Sequence, residues 1–270
     1  MSAALVTGAG RGLGLEIARA LAARGLTVHV TDVDEGAAAA AAEDIGGSAF
    51  FSKVDVRDRE ACEAATAMTL ERAGSLDVWV NNAGILVTGH VWDHDPDTCR
   101  LLFEVNTMGT INGTLAALAP MRAARHGHVI NIVSLAGLGA PPGEALYGAT
   151  KHAAIAFSLG TLADLRREGL KDIHVSAVCP DGIWTPMIAD KLDVRDREAS
   201  ESAAAMTVER AGPLEVWVNN AGILVTGHVW DHDPDTCRLL FEVNTMGTIN
   251  GTLAALGPMR QARRGHVINI

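Results

Sequence analysis

The chain has 270 residues, a formal net charge of −10, and a composition that is 48% hydrophobic and 20% charged. That length buries the core of one large α/β domain or two small ones. Acidic balance without clustered Lys and Arg excludes a nucleic-acid surface, and no apolar run approaches the roughly 18 residues of a membrane span. From Met1 the chain runs straight into a strand-like stretch with no basic region or cleavage signal, which predicts a cytoplasmic protein. Cys62, Cys99, Cys179 and Cys237 form no CxxC pair and are read as reduced thiols.

Short apolar runs alternate with helical patterns. Ala3–Thr7 reads as a strand and Gly12–Arg24 as a helix, followed by strand Thr27–Thr31 and the Ala-rich helix Glu35–Asp44. Strand Phe50–Val54 and helix Arg57–Ala73 come next, then strand Val78–Val80 and a long helix over Asp97–Ala124, broken or bent near its glycines. Strand His128–Val133, helix Glu144–Glu168 and strand His174–Val178 complete the alternation. This order predicts an α/β protein, a doubly wound parallel sheet in three α/β/α layers. Such sheets bind ligands beyond the carboxyl ends of their strands.

Residues 192–270 repeat residues 54–132 at an offset of 138, and only ten of the 79 aligned positions differ. The pattern is that of a partial duplication or a joining of two close relatives, not a solenoid. The expected organisation is one domain over 1–270, with a core over 1–191 and the near-copy after it. The copy ends at Ile270, the counterpart of Ile132, before any equivalent of Ser134, Tyr147 or Lys151. Val216–Val218 competes with Val78–Val80 for one place beside the first strand. Chain continuity favours the first copy, which leaves the second for strand or helix exchange between molecules.

Gly8, Gly10, Gly12 and Gly14, with Arg11 and Leu13 between them, follow the first strand and open the first helix. Glycines permit a tight turn and close approach to a pyrophosphate, and the helix N-terminus adds free N–H groups and a positive dipole end. Asp32 ends the second strand, 18 residues past Gly14. Its carboxylate suits ribose hydroxyls and repels a 2′-phosphate, which favours NAD over NADP, while Arg11 pulls the other way. Tyr147 is the only tyrosine, and Lys151 lies one helical turn after it on the same face. An ammonium there favours the phenolate of a group whose ordinary pKa is about 10. Ser134, at a strand end, is placed to hold a substrate oxygen.

Together these motifs resemble the short-chain dehydrogenase/reductase family over about residues 3–187. The match includes Thr7–Gly14, Asp55-Val56, Asn81-Asn82-Ala83-Gly84, Asn106, Ser134, Tyr147, Lys151 and the segment from Pro180 to Thr185. The resemblance implies a Rossmann-type fold and an oxidoreductase passing hydride between NAD(H) and an alcohol or ketone. In it Tyr147 moves the proton, Ser134 holds the oxygen, Lys151 lowers the tyrosine pKa and grips the nicotinamide ribose, and Asn106 positions a water. Asp55 would meet the adenine amino group beside Val56. Asn82, Ala83 and Gly84 would line the cofactor, and Pro180, Ile183 and Thr185 would lie by its carboxamide. The resemblance also implies a dimer or tetramer built on the helices Asp97–Ala124 and Glu144–Glu168.

Two departures stand out. Asp181 replaces the family's Gly after Pro180, and from about residue 188 the near-copy stands where the family carries its lid, last helix and last strand. Arg195–Ala211 and Leu224–Trp230 are candidate substitutes for that helix and strand. The mostly apolar stretch Leu135–Leu146 favours an apolar alcohol or carbonyl substrate. His90, Asp93, His94 and Asp95 are read as a polar loop, not a metal site. The competing reading is a nucleotide-binding, catalytically impaired scaffold, motivated by the altered C-terminal third.

Overall fold

The computed structural model describes residues 2–180, 195–219, 222 and 233–269. Contacts group these into two compact units, Met1–Asp181 and Gly182–Ile270, where the sequence reading treats the chain as one domain.

The first unit alternates strand and helix throughout: β1 (Ala3–Thr7), α1 (Gly12–Ala23), β2 (Thr27–Asp32), α2 (Glu35–Ile45), β3 (Phe50–Lys53), α3 (Arg59–Ala73) and β4 (Val78–Asn81). Helix α4 (Pro96–Phe103) runs through a π-helical segment, Glu104–Met108, into α5 (Gly109–Ala124). Then follow β5 (Gly127–Ile132), α6 (Ala145–Arg167) and β6 (Ile173–Val178). The strands form one parallel sheet in the order β3-β2-β1-β4-β5-β6. Strand alternation feeds two cores. Leu5, Trp79, Val129 and Ile173 pack with α3 and α5 on one face. Val6, Val28, Val30 and Val80 pack with α1 and α2 on the other. A sheet buried on both faces needs such continuous apolar strands.

Local chemistry sets the boundaries. Asp34, Asp58 and Asp95 cap α2, α3 and α4 by accepting backbone N–H bonds, so α3 starts at Arg59 and not at Arg57. The expected long helix over 97–124 is instead two α-helices joined by the π segment. An inserted residue of this kind widens the turn and re-aims a side chain, here Asn106.

The second unit contains α7 (Arg197–Ala211), β7 (Val216–Asn219), α8 (Pro234–Leu240), a π segment at Phe241–Met246, α9 (Gly247–Ala262) and β8 (His266–Asn269). Its small core is Ala204, Leu214, Ala254, Ala255 and Met259, with Trp217 and Val267 against it. Strands β7 and β8 pair in parallel as a two-stranded sheet. The place beside β1 belongs to β4, of the first copy, and this is why the described strands separate into two sheets. Helix α7 covers the stretch expected to stand in for a preceding helix, but within its own unit it packs on α9. The candidate strand Leu224–Trp230 lies outside the described residues. No described helix is long and apolar enough to cross a membrane.

Candidate active site

The Gly-rich turn joins β1 to α1 at the carboxyl end of the sheet. Gly8 and Gly12 have φ of +61° and +59°, a region that favours glycine. A Cβ on Gly8 would stand 2.8 Å from Cα of Ala83, and one on Gly14 would strike Gly8 O and Asn82 Nδ2. The turn is therefore seated on the Asn82-Ala83-Gly84 segment after β4. Asn82 Nδ2 donates to Thr7 O at 3.0 Å and Gly8 O at 2.9 Å, and Thr7 Oγ1 accepts from the backbone N of Asn82 and of Ala83. Asp32, at the end of β2, accepts from Gly10 N at 3.0 Å and Asp34 N at 3.1 Å. The carboxylate is thus held at the turn itself. Arg11 is the exposed N-cap residue of α1 and makes no side-chain cap bond, and no acid stands in the first turn, where Leu13 is half-buried. Unlike α2, α3 and α4, this helix has no side-chain cap on its N-terminal N–H groups.

Asp55 and Val56 are placed differently from each other. Both Asp55 oxygens accept from the Arg57 guanidinium, at 2.6 to 3.0 Å, and this pairing holds the carboxyl below its ordinary range. The Val56 side chain is buried against Gly109, and its carbonyl accepts from Asn112.

Four expected residues converge beyond β4 and β5. Asn106, fully buried in the π segment, accepts from Ile85 N at 2.8 Å and donates to Ile85 O at 2.9 Å and Thr150 Oγ1 at 3.1 Å. Lys151 Nζ donates to Ile132 O at 3.0 Å and lies 5.7 Å from the Tyr147 ring centroid. A Cβ on Gly84 would sit 3.3 Å from Asn106 Oδ1 and 3.5 Å from Lys151 Nζ, so that glycine forms one wall of the cluster. Ser134 caps the short turn Leu135–Gly137 by accepting from Ala136 N at 3.1 Å, and it hydrogen-bonds Tyr147. Pro180 O accepts from Leu135 N at 2.9 Å, which brings the end of β6 beside Ser134. Ile183, Thr185 and Asp181 lie outside the described residues.

The electrostatics correct one expectation. Burial raises the Tyr147 pKa above its ordinary value; the hydrogen bond with Ser134 opposes that, and Glu144 adds to it. Lys151 is not among the causes of that shift. Its ammonium is committed to the Ile132 carbonyl, and burial pushes the ammonium itself down to about 8. Desolvation dominates both groups, because each must give up water without gaining a nearby counter-charge.

Sequence reasoning did not find Thr150 or His152, whose side chains hold neighbouring segments. The one available cue was that they flank Lys151, and their partners lie on distant segments. His90 stacks on the exposed Trp92, with ring centroids 4.8 Å apart, and Asp95 is spent on its cap, accepting from Asp97 N and Thr98 N. No group of three potential metal ligands occurs among the described residues.

The arrangement is a close-packed Gly-rich turn and a hydroxyl pair beside an ammonium, on the same sheet end. Comparison with known proteins decides the family: the short chain dehydrogenase pattern matches residues 2–191 and again 187–270. The chain belongs to the short-chain dehydrogenase family. It is 39% identical over 195 residues to trans-4-hydroxycyclohexanecarboxylate dehydrogenase of Sinomonas cyclohexanicum, spanning 69% of this chain and 74% of that protein. It is 34% identical over 215 residues to cyclopentanol dehydrogenase of Comamonas sp., spanning 78% and 85%. A short chain dehydrogenase/reductase from Burkholderia phymatum, solved in complex with NAD, superposes with a TM-score of 0.67 at 25% identity, covering 99% of this chain and 88% of that one. This short-chain dehydrogenase is accordingly an oxidoreductase, and its parallel sheet flanked by helices is the fold of its relatives.

Proposed function

We propose that this short-chain dehydrogenase interconverts an apolar, small alcohol and its ketone with NAD(H), using Ser134, Tyr147 and Lys151. The observation that carries the reading is the meeting of Asn106, Ser134, Tyr147 and Lys151 on the sheet end that also presents the uncapped α1 and Asp32. The residues fit a dinucleotide: the turn is close-packed behind Gly8 and Gly14, and the α1 N-terminus, with no side-chain cap, would receive a pyrophosphate. Asp32 would accept from the ribose hydroxyls, with its carboxylate disfavouring a 2′-phosphate more than Arg11 favours one. Gly8, Arg11, Gly12, Leu13 and Gly14 would hold the phosphates. Asp55, Val56, Asn82, Ala83 and Gly84 would line the adenosine side, and Pro180, Ile183 and Thr185 the carboxamide side.

When bound, the nicotinamide supplies or takes the hydride. Ser134 donates to the substrate oxygen, and the Tyr147 hydroxyl gives or takes its proton. Lys151 would place a positive charge behind the phenol, which favours the phenolate against the cost of burial. Leu135 and Leu138, both exposed beside Ser134, favour an apolar ring or chain, in line with the cyclic alcohols in the names of two relatives. The near-copy would be a duplicated segment standing in place of the family's last helix and strand. The assembly would be a dimer or tetramer in the cytoplasm, open to exchange of strands or helices between copies.

The test is fluorescence titration with NADH and NADPH, alongside turnover of cyclic and linear alcohols by the parent and by Tyr147→Phe. Tighter NADH binding by both proteins, with turnover lost only in the variant, is the expected result. Binding without turnover in the parent would instead favour an impaired, nucleotide-binding scaffold. The observation behind that second reading is that the chain after residue 181 builds its own unit.

A further inference from the structure

We propose that Thr150 and His152, the two neighbours of Lys151, are positioning residues that hold the other parts of the site in register with α6. The inference rests on the Ser134–Tyr147–Lys151 reading above. Successive helix residues point about 100° apart, so three in a row can each engage a different segment. Here they do. Lys151 reaches the end of β5 through Ile132 O. Thr150 reaches the π segment, and His152 reaches the turn that starts at Ser134.

Thr150 is fully buried, and its hydroxyl is used in both directions. It accepts from Asn106 Nδ2 at 3.1 Å and donates to Tyr147 O at 2.7 Å. Its carbonyl accepts from Thr107 Oγ1 at 3.1 Å. With Ile85 taking the rest of the Asn106 amide, that side chain has one orientation only. The bond to Tyr147 O also steadies the first turn of α6, which has no side-chain cap at Glu144. His152 Nδ1 donates to Gly137 O at 2.8 Å. Gly137 packs so closely that a Cβ there would stand 2.9 Å from the Lys151 carbonyl carbon and 3.1 Å from His152 N. The turn carrying Ser134 is therefore docked on α6 immediately beside Lys151. A shift of about 1 Å at a reacting group costs on the order of a hundredfold in rate, so loss of either anchor matters without any contact to substrate.

The experiment compares the full-length parent with Thr150→Val, Thr150→Ser and His152→Phe. It measures NADH affinity, kcat, KM for a turned-over alcohol and the pH profile of kcat. Thr150→Val keeps the shape and loses the hydroxyl. We expect its kcat to fall about tenfold or more, its alkaline pH limb to move, and NADH affinity to stay within about twofold. Thr150→Ser restores both kcat and the limb. His152→Phe raises KM for the alcohol more than it lowers kcat, because Ser134 loses its seat. Should Thr150→Val fail to fold, Thr150→Ala carries the same expectation. A parental kcat and pH limb in the Val or Ala variant overturns the role of Thr150, as does failure of Ser to rescue. An unchanged KM in His152→Phe overturns that of His152. A parent that binds no NADH or turns over no alcohol overturns the underlying reading, and this proposal with it.

Discussion

Residues 54–132 and 192–270 are nearly the same sequence in two settings. Both fold into helix, strand, short helix, π segment, helix and strand. The match extends to details: Val78 pairs with His128 as Val216 pairs with His266. Arg125 and Arg263 both take left-handed backbone, with φ of 56° and 54°. In each copy the tryptophan Nε1 donates to the asparagine two residues on, at 2.6 and 2.7 Å. What differs is cover. Val80 is fully buried beneath α1 and α2, whereas Val218 is 49% exposed and Val216 52% exposed. Element type, caps and pair register are thus properties of the segment, and burial is a property of its neighbours. Two of the ten differences fall across one ion pair. His126 and Asp77 lie 3.7 Å apart, and their counterparts Arg264 and Glu215 3.0 Å apart, so the changed residues keep opposite partners.

The largest expected effect compares Trp79 with Trp217. Trp79→Ala empties a fully buried site and should cost about 3–5 kcal/mol. Trp217→Ala, at the edge of a small core, should cost well under half of that and leave cofactor binding intact. Calorimetry of both variants checks this, and equal losses would break the comparison.

Acid should then separate the units, because among the described residues the fully buried histidine lies in the first. His29 bonds Thr69 and Ser52, and burial, with help from Arg72, lowers it to about 4. The unfolded chain takes up its proton at about 6.5, so the first unit loses stability as pH falls from 6.5 toward 4, by up to about 3 kcal/mol. The first unit's thermal transition should move down with pH more than the second's, and His29→Gln should flatten that slope.

Asn106 and Asn244 offer a sharper contrast of similar size. Asn106→Ala should lower turnover about a hundredfold, or about 2.7 kcal/mol, while Asn244→Ala should leave it unchanged. Loss of activity in the second variant would mean that the two copies exchange places in the working enzyme. The smallest effect concerns Thr66, whose buried hydroxyl has no partner among the described residues, where the copy has Ala204. Thr66→Ala should be stabilising by about 1 kcal/mol, measured by urea unfolding.

The alternation of strands and helices was legible because it rests on periodicity, and the Gly-rich turn, Asp32, Ser134, Tyr147 and Lys151 because each stands at a recognisable distance from an element boundary. The π segment was legible only as an interruption of the helix over 97–124 near its glycines, not as a widened turn. The anchors Thr150 and His152 were not legible, since their partners, Asn106 and Gly137, are 44 and 15 residues away. The expected lowering of the Tyr147 pKa by Lys151 failed for the same reason. Sequence places the two on one helix face, but the fold buries both and commits the ammonium to Ile132.

By itself, then, the sequence determined the alternation of strands and helices and the Gly-rich turn, because these depend on interactions within a few residues along the chain. Only the tertiary structure decided which of two near-identical strands lies beside β1, which faces are covered, and how desolvation sets the charge of Tyr147 and Lys151. Those depend on what packs from elsewhere: burial and dielectric environment are collective properties that a segment does not carry with it.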